Sequence, residues 1–321
     1  MVKKNWAITL VVVLILLAAL ATIASLVYKN ATTIPQISCN GQQASFTILA
    51  SHTTGACQRR LLVFSKTAGF RHASIKDGKI ALQKLASEHN FAIDFTEDST
   101  VFTDANLARY AAVVFLLTTG EIFDNNQQAA FERYIRGGGG YVGVHSASDT
   151  EYDWPWYGGL LGSFMDRIHK HSRVMQATLH VTDRAHQSTN MLPPLWVRTD
   201  EWYNFASNPR GKVHILLTID ESTYEGGTMG VDHPIAWYHA YDGGRAWYTA
   251  MGHTSESYYE PLFLAHLWGG ITYAVGTGRK QSFISPQIPH MPLQQAIEIV
   301  VIADVSTKRW APCLPFPSSL I

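Results

Sequence analysis

Three short runs without a charged residue, Leu61–Phe64, Ala111–Leu117 and Tyr141–Val144, constrain this 321-residue chain more than any other feature. Each is too short for a core helix. Each runs directly into polar residues: Ser65–Lys66–Thr67, Thr118–Thr119–Gly120–Glu121 and His145–Ser146. Strands that are apolar at every position are buried on both faces, the pattern of a parallel sheet covered by helices. The segments between them read as helical. Ser74 caps a helix running to about Glu88, FTDANLARY reads as a short helix capped by Asp104, and Asp124 caps a helix to Arg136 that the four glycines 137–140 stop. A further strand is expected at about Phe91–Phe95. Alternating strands and helices predict an α/β fold, a mostly parallel sheet with helices on both faces. In such sheets the chemistry lies at the carboxyl ends of the strands. That singles out the loop HSASDTEYDWPWY, His145–Tyr157.

After Trp156 the pattern changes to alternation, at Gln176–Val181 and Val213–Ile219. Pro234–Tyr241 and Arg245–Met251, joined by Asp242-Gly243-Gly244, read as a hairpin with Ile235, Trp237, His239 and Tyr241 on one face. Pro261–Val275 reads as a terminal amphipathic helix. The tail beyond Gly276 is rich in Pro and Ser, with an apolar patch at Ala296–Ala303.

The start of the chain carries a different signal. Ile8–Val27 holds twenty residues without a charge, enough to cross a bilayer as a helix. It is longer than the ~7–15-residue apolar region of a secretory signal. Lys3 and Lys4 precede it and keep that end inside. The expected organisation is an N-terminal transmembrane helix within 1–29, a linker over 30–58, a folded domain over 59–277 and a tail over 278–321. The protein would be single-pass in the cell membrane with its domain extracytoplasmic. Cys39 and Cys57 could pair across a short loop in an oxidising space, and with Cys313 they lie outside the strand-end stretches, which disfavours a cysteine nucleophile. Formal net charge is +0 and the pI about 7.3, which argues against a nucleic-acid partner.

Six blocks taken in order, VFSKTAGFRHASI, NLARYAAVVFLLTTGE, GYVGVHSASDTEYDWPWYGGLLG, RTDEWYNF, ESTYEGGTMGVDHPIAWYH and GGRAWYTAMGHTSESY, resemble the ThuA-like (trehalose utilisation) family over about residues 60–276. The resemblance implies a flavodoxin-like, doubly wound fold of the class I glutamine amidotransferase-like kind. It also implies a role with sugars such as trehalose, sucrose or their oxidised derivatives. Amidotransferases of that superfamily place a cysteine at a Gly-x-Cys-x-Gly elbow; here Gly143-Val144-His145-Ser146-Ala147 puts His145 at that position. Without the thiol there is no thioester nucleophile, so glutaminase activity is not expected. His253, after the WYTAMG strand, resembles the superfamily's catalytic histidine in placement, with Glu256 near enough to orient it.

His145 has three readings: a structural residue shaping the loop, a general acid or base tuned by Asp149, Glu121 or His253, or a metal ligand. As a ligand it would join His253, with His239 or Glu201, around zinc or another divalent ion. The expected catalytic residues are His145, His253, Glu121 and Asp149. Expected sugar contacts are Arg71 and His72 after the first strand, Trp154, Trp156 and Tyr157 in the central loop, Glu201 and Tyr203 after a later strand, and His239. Aromatic faces with carboxylates suit sugars, although some of these rings must be core. A triad of Ser146, His253 and Asp149 is disfavoured because Ser146 is one residue past the elbow. In Ser163–Val174 the chain departs from the family's single His-Pro, and no role is assigned to His169 or His171. The leading expectation is a domain that binds or transforms a disaccharide or keto-sugar, with a non-catalytic sugar-binding module or a metal-dependent hydrolase as alternatives.

Overall fold

The computed structural model describes residues 58–276. The expected membrane helix, most of the linker, all three cysteines and the tail lie outside the described residues. Among the described residues, no helix is long and apolar enough to cross a membrane.

The strands are β1 (Arg60–Phe64), β2 (Ala92–Thr96), β3 (Ala112–Leu116), β4 (Gly140–Val144), β5 (Met175–Val181), β6 (Leu195–Asp200), β7 (His214–Ile219), β8 (Pro234–Tyr241) and β9 (Gly244–Thr249). Among the described residues they form one nine-stranded sheet in the order β2-β1-β3-β4-β9-β8-β7-β5-β6. The pairings from β2 through β9 are parallel, and those from β9 through β6 are antiparallel. The parallel half is the doubly wound core expected from the sequence. Its inner strands β3 and β4 are buried at every position, and β1 at all but Arg60. The alternating strands extend that same sheet, and β6 alternates exposed and buried along its length.

The helices are α1 (Ile75–Glu88), α2 (Asp104–Leu107), α3 (Asn125–Arg136), α4 (Pro155–Leu161) and α5 (Pro261–Val275). Asp124 caps α3 in a capping box with Gln127. Two caps differ from expectation. Thr103 caps α2, and Asp104 is its first residue. Ser74 makes no side-chain cap to α1; its hydroxyl donates instead to the His253 carbonyl at 2.6 Å, tying α1 to the loop after β9. The apolar stripe of α1 is Ile75, Leu82 and Leu85, while Ile80 is 54% exposed and lies off it. The core between the parallel strands and α3 is a cluster of Phe64, Phe102, Phe115, Phe131 and Tyr157.

The antiparallel half does not lie flat. β6 is five strand steps from β4, which on a flat sheet is ~24 Å. Yet Trp196 of β6 donates to Glu260 at 2.9 Å and Arg198 to Ser257 Oγ at 2.8 Å, both in the segment between β9 and α5. The right-handed twist of the sheet has coiled far enough to turn β6 back over the carboxyl end of β9.

Candidate active site

β4 ends at Val144 in extended conformation, and the next residue, His145, turns sharply with φ +51°. An L-residue in the left-handed region is uncommon and strained, and it persists where its surroundings over-determine it. Those surroundings are visible. The Tyr248 hydroxyl donates to the His145 carbonyl at 2.8 Å, and the Tyr157 hydroxyl to the Ala147 carbonyl at 2.7 Å. Gly143 makes room for the Tyr141 hydroxyl, which would lie 2.6 Å from a Cβ at that position. The His145 ring is fully buried. Its Nδ1 lies 2.6 Å from the Ala250 carbonyl oxygen.

Nε2 of the same ring faces Glu201 Oε2 at 3.3 Å and His253 Nδ1 at 3.2 Å. His253 Nδ1 lies 3.1 Å from that same oxygen. His72, in the loop after β1, stands edge-on to both other histidines with ring centroids 5.0 Å from each. His72, His145, Glu201 and His253 each offer one donor atom, all within 4.8 Å of one another. His171 joins from outside: its Nδ1 lies 3.0 Å from Glu201 Oε1 and 2.8 Å from the Ser172 carbonyl, and it donates toward both. The Tyr203 ring covers His145 at 4.2 Å between centroids. The group opens to solvent through His253 and His171, whose side chains are 24% and 39% exposed.

Asp200 and Glu201 are adjacent at the end of β6, and their side chains diverge, as successive residues of a strand do. Fully buried Asp200 accepts from the backbone N–H of Gly252 and of His253, at 2.9 and 3.0 Å, and pairs with Arg198 at 3.2 Å. One carboxylate holds the His253 backbone and its neighbour holds the rings. Electrostatics follow the geometry. Burial pushes Glu201 up, but the neighbouring His145, His171 and His253 overcome it and hold the carboxyl well below its usual range. Burial, then the neighbouring His145 and His253, push His72 down to about 3, so it is neutral at pH 7. His171 is raised by its hydrogen bond to Glu201, against burial.

The model of the ThuA family, described as trehalose utilisation, matches residues 60–274. The chain belongs to the ThuA family. It is similar to a ThuA-like protein from Bacteroides uniformis ATCC 8492 at 23% identity and TM-score 0.60, covering 69% of this chain and 93% of that one. It is also similar to a ThuA-like protein from Parabacteroides merdae ATCC 43184 at 19% identity and TM-score 0.57, covering 70% and 92%. These likenesses show the fold, which is consistent with the class I glutamine amidotransferase-like architecture. A search of curated proteins gives no match.

Of the residues singled out in the sequence, the ThuA fold brings His145, His253, His72 and Glu201 together with Tyr203 over them. The others sit elsewhere. Asp149 is half-buried, raised by burial, and accepts from the Tyr152 hydroxyl at 2.9 Å. Glu121, also raised by burial, accepts the Tyr152 backbone N–H at 3.0 Å. Both carboxylates brace the loop. Arg71 reaches away to Glu97 at 2.8 Å. Trp154 and Tyr157 are core, the first donating to Glu132 at 3.2 Å and the second hydrogen-bonded with Tyr141 at 2.8 Å. Trp156 donates to Asp242 at 2.7 Å, and His239 is buried against the Leu160 carbonyl at 2.8 Å. These last four are structural because each has a fixed partner outside the cluster. Ser146 Oγ is 3.5 Å from His72 Nδ1, while His253 is engaged with Glu201 and Asp149 with Tyr152, so the Ser146 triad is not assembled. Exposed Glu256 does not orient His253; Glu201 does. His171, left without a role in the sequence, belongs to the site. Its one signal was the departure of Ser163–Val174 from the family pattern. An apolar groove of about 520 Å³ between α1 and α5, lined by Leu85, Leu264 and Trp268, contains none of these residues.

Proposed function

We propose that this ThuA domain binds a carbohydrate over the His72–His145–Glu201–His253 group and transforms it, held outside the cytoplasm by the anchor Ile8–Val27. One observation carries the reading: a fully buried histidine in a strained left-handed turn directs Nε2 at a carboxylate and a second histidine. A histidine that only filled space would not need a carboxylate and a second histidine at its Nε2. The trehalose utilisation description of the family supports a sugar as the ligand. The group supplies imidazole nitrogens and a carboxylate, and no thiol stands at the elbow. Its chemistry is therefore the activation of an oxygen, either a sugar hydroxyl, a keto-sugar carbonyl or a water, rather than acyl transfer through a thioester. The anchor rests on the uncharged length of Ile8–Val27 and the lysines before it.

The test is to incubate the full chain with a panel of disaccharides and their keto derivatives, following products by mass spectrometry and binding by calorimetry. The wild type is expected to consume at least one of them, and His145→Ala to bind that sugar without turning it over. A wild type that neither binds nor alters any member of the panel overturns the proposal.

A further inference from the structure

The neutral rings can place at most one hydrogen, on His253 Nδ1, inside the buried group. A carbonyl oxygen only accepts, so the ring hydrogen of His145 sits on Nδ1, 2.6 Å from the Ala250 oxygen. Nε2 of the neutral ring then carries a lone pair, and that lone pair faces a carboxylate oxygen. His145 Nε2, Glu201 Oε2 and His253 Nδ1 form a nearly equilateral triangle with edges of 3.3, 3.1 and 3.2 Å. One hydrogen can join this triangle only along its edges, whereas one cation between the atoms engages all three at once.

We propose that His72, His145, His253 and Glu201 bind one divalent first-row transition ion, zinc foremost, with Glu201 a monodentate ligand through Oε2. This deepens the carbohydrate reading of the same site by naming the group that would activate the sugar oxygen. The spacing fits. Zinc bonds of ~2.0–2.2 Å give ligand–ligand edges of about 3.3–3.5 Å in a tetrahedron. An ion at such distances from this triangle sits about 0.9 Å out of its plane, with a further position left for His72. The donor set of three imidazoles and one carboxylate selects a transition ion over magnesium or calcium, which require oxygen ligands.

The surroundings are those a metal centre needs. A ligating histidine hands its other N–H to a carbonyl or carboxylate, as His145 does to Ala250. Glu201 Oε1 is held by His171 at 3.0 Å, which leaves Oε2 to the triangle. Asp200 pins the backbone of His253. A bound ion would polarise a sugar carbonyl or hydroxyl, or lower the pKa of a water, that enters in place of His72 or as a fifth ligand.

The experiment uses the full chain, stripped with a chelator, re-equilibrated separately with zinc, nickel, manganese and magnesium, and assayed for bound metal by mass spectrometry with no sugar present. The expected result is about one zinc per chain and no magnesium, with His253→Gln and Glu201→Gln each weakening zinc binding by ~100-fold or more. Cobalt-loaded protein should show visible ligand-field bands that both variants lose. His171→Gln, on the rim, should keep the ion at ~10–100-fold weaker affinity, which provides a reading if the buried variants fail to fold. His239→Gln should bind as the wild type does. A wild type that takes up less than about a tenth of an equivalent of every ion overturns the proposal. So does equal binding by the Glu201→Gln, His253→Gln and His171→Gln proteins, and in either case hydrogen bonds alone hold the triangle together. Metal uptake without sugar turnover would keep this inference and remove the carbohydrate reading, and turnover by metal-free protein would do the reverse.

Discussion

Glu201 Oε2 lies 3.3 Å from His145 Nε2, although four strands separate β6 from β4 in the sheet. The contact exists only because the antiparallel half coils back. Glu201 is the centre of the group, touching three histidines with its two oxygens.

Glu201→Gln keeps the shape and removes the charge. Turnover of the sugar should fall by ~10²–10⁴-fold, while circular dichroism remains that of the wild type. Steady-state kinetics beside a thermal melt make the comparison; unaltered kcat would remove Glu201 from the chemistry.

Asp200→Ala should act on stability as well as activity. It strips two backbone N–H groups of their acceptor and leaves the buried Arg198 guanidinium with Glu260 as its remaining ion-pair partner at 3.2 Å. Breaking a buried pair costs ~3–5 kcal/mol. Urea denaturation should show a loss of that order, well beyond what Glu201→Gln produces.

Gly143→Ala tests the elbow. The new methyl would meet the Tyr141 hydroxyl at 2.6 Å and the Tyr248 ring at 3.0 Å. Overpacking of this kind costs about 1–3 kcal/mol, read as a lower urea midpoint. A midpoint equal to the wild type would mean that the turn after β4 relaxes freely.

Acid should destabilise the fold through its buried histidines. His266 on α5 is fully buried, and burial, partly opposed by its hydrogen bond to the Ser188 carbonyl, pushes it down to about 3. The unfolded value is about 6.5. Between the two the unfolded chain binds more protons, so this contribution is complete above pH ~6.5 and is lost as pH falls toward 3. Urea midpoints measured from pH 7 to 4 should fall, and His266→Gln should flatten that slope. An equal slope in the variant would remove His266 as a cause.

Trp154→Phe should alter stability and leave KM unchanged, since the indole donates to Glu132 within the core. A raised KM with an unaltered melt would return Trp154 to the sugar.

The parallel half of the fold was legible because burial on both faces leaves continuous apolar runs, as in Ala112–Leu116, and because Asp124 marks a helix start by side-chain chemistry alone. Alternation revealed β5, β7 and the β8–β9 hairpin, while β6 was expected only as a strand of unstated bounds before Glu201; alternation carries no information on which strands pair, so neither the single sheet nor its coiling was visible. His145 stood out by its position in the elbow and His253 by resemblance. His72 and Glu201 were recognised as strand-end polar residues, but their convergence with the other two depends on the coiling of β6. Trp154 and Tyr157 were misassigned to the sugar because a large ring suits a core and a binding face equally well. Glu256 was credited with orienting His253 because it is near in sequence; the group that does so is held by a distant strand.

The coiled antiparallel half also bears on how the site forms. The parallel core could assemble with His145 at its turn and His253 after β9 while β5 and β6 were still unpaired, and the pocket between the rings would then hold no carboxylate. Activity would therefore be the last property the domain acquires on folding and the first it loses on partial opening. Hydrogen exchange in β6 should track inactivation more closely than global unfolding does.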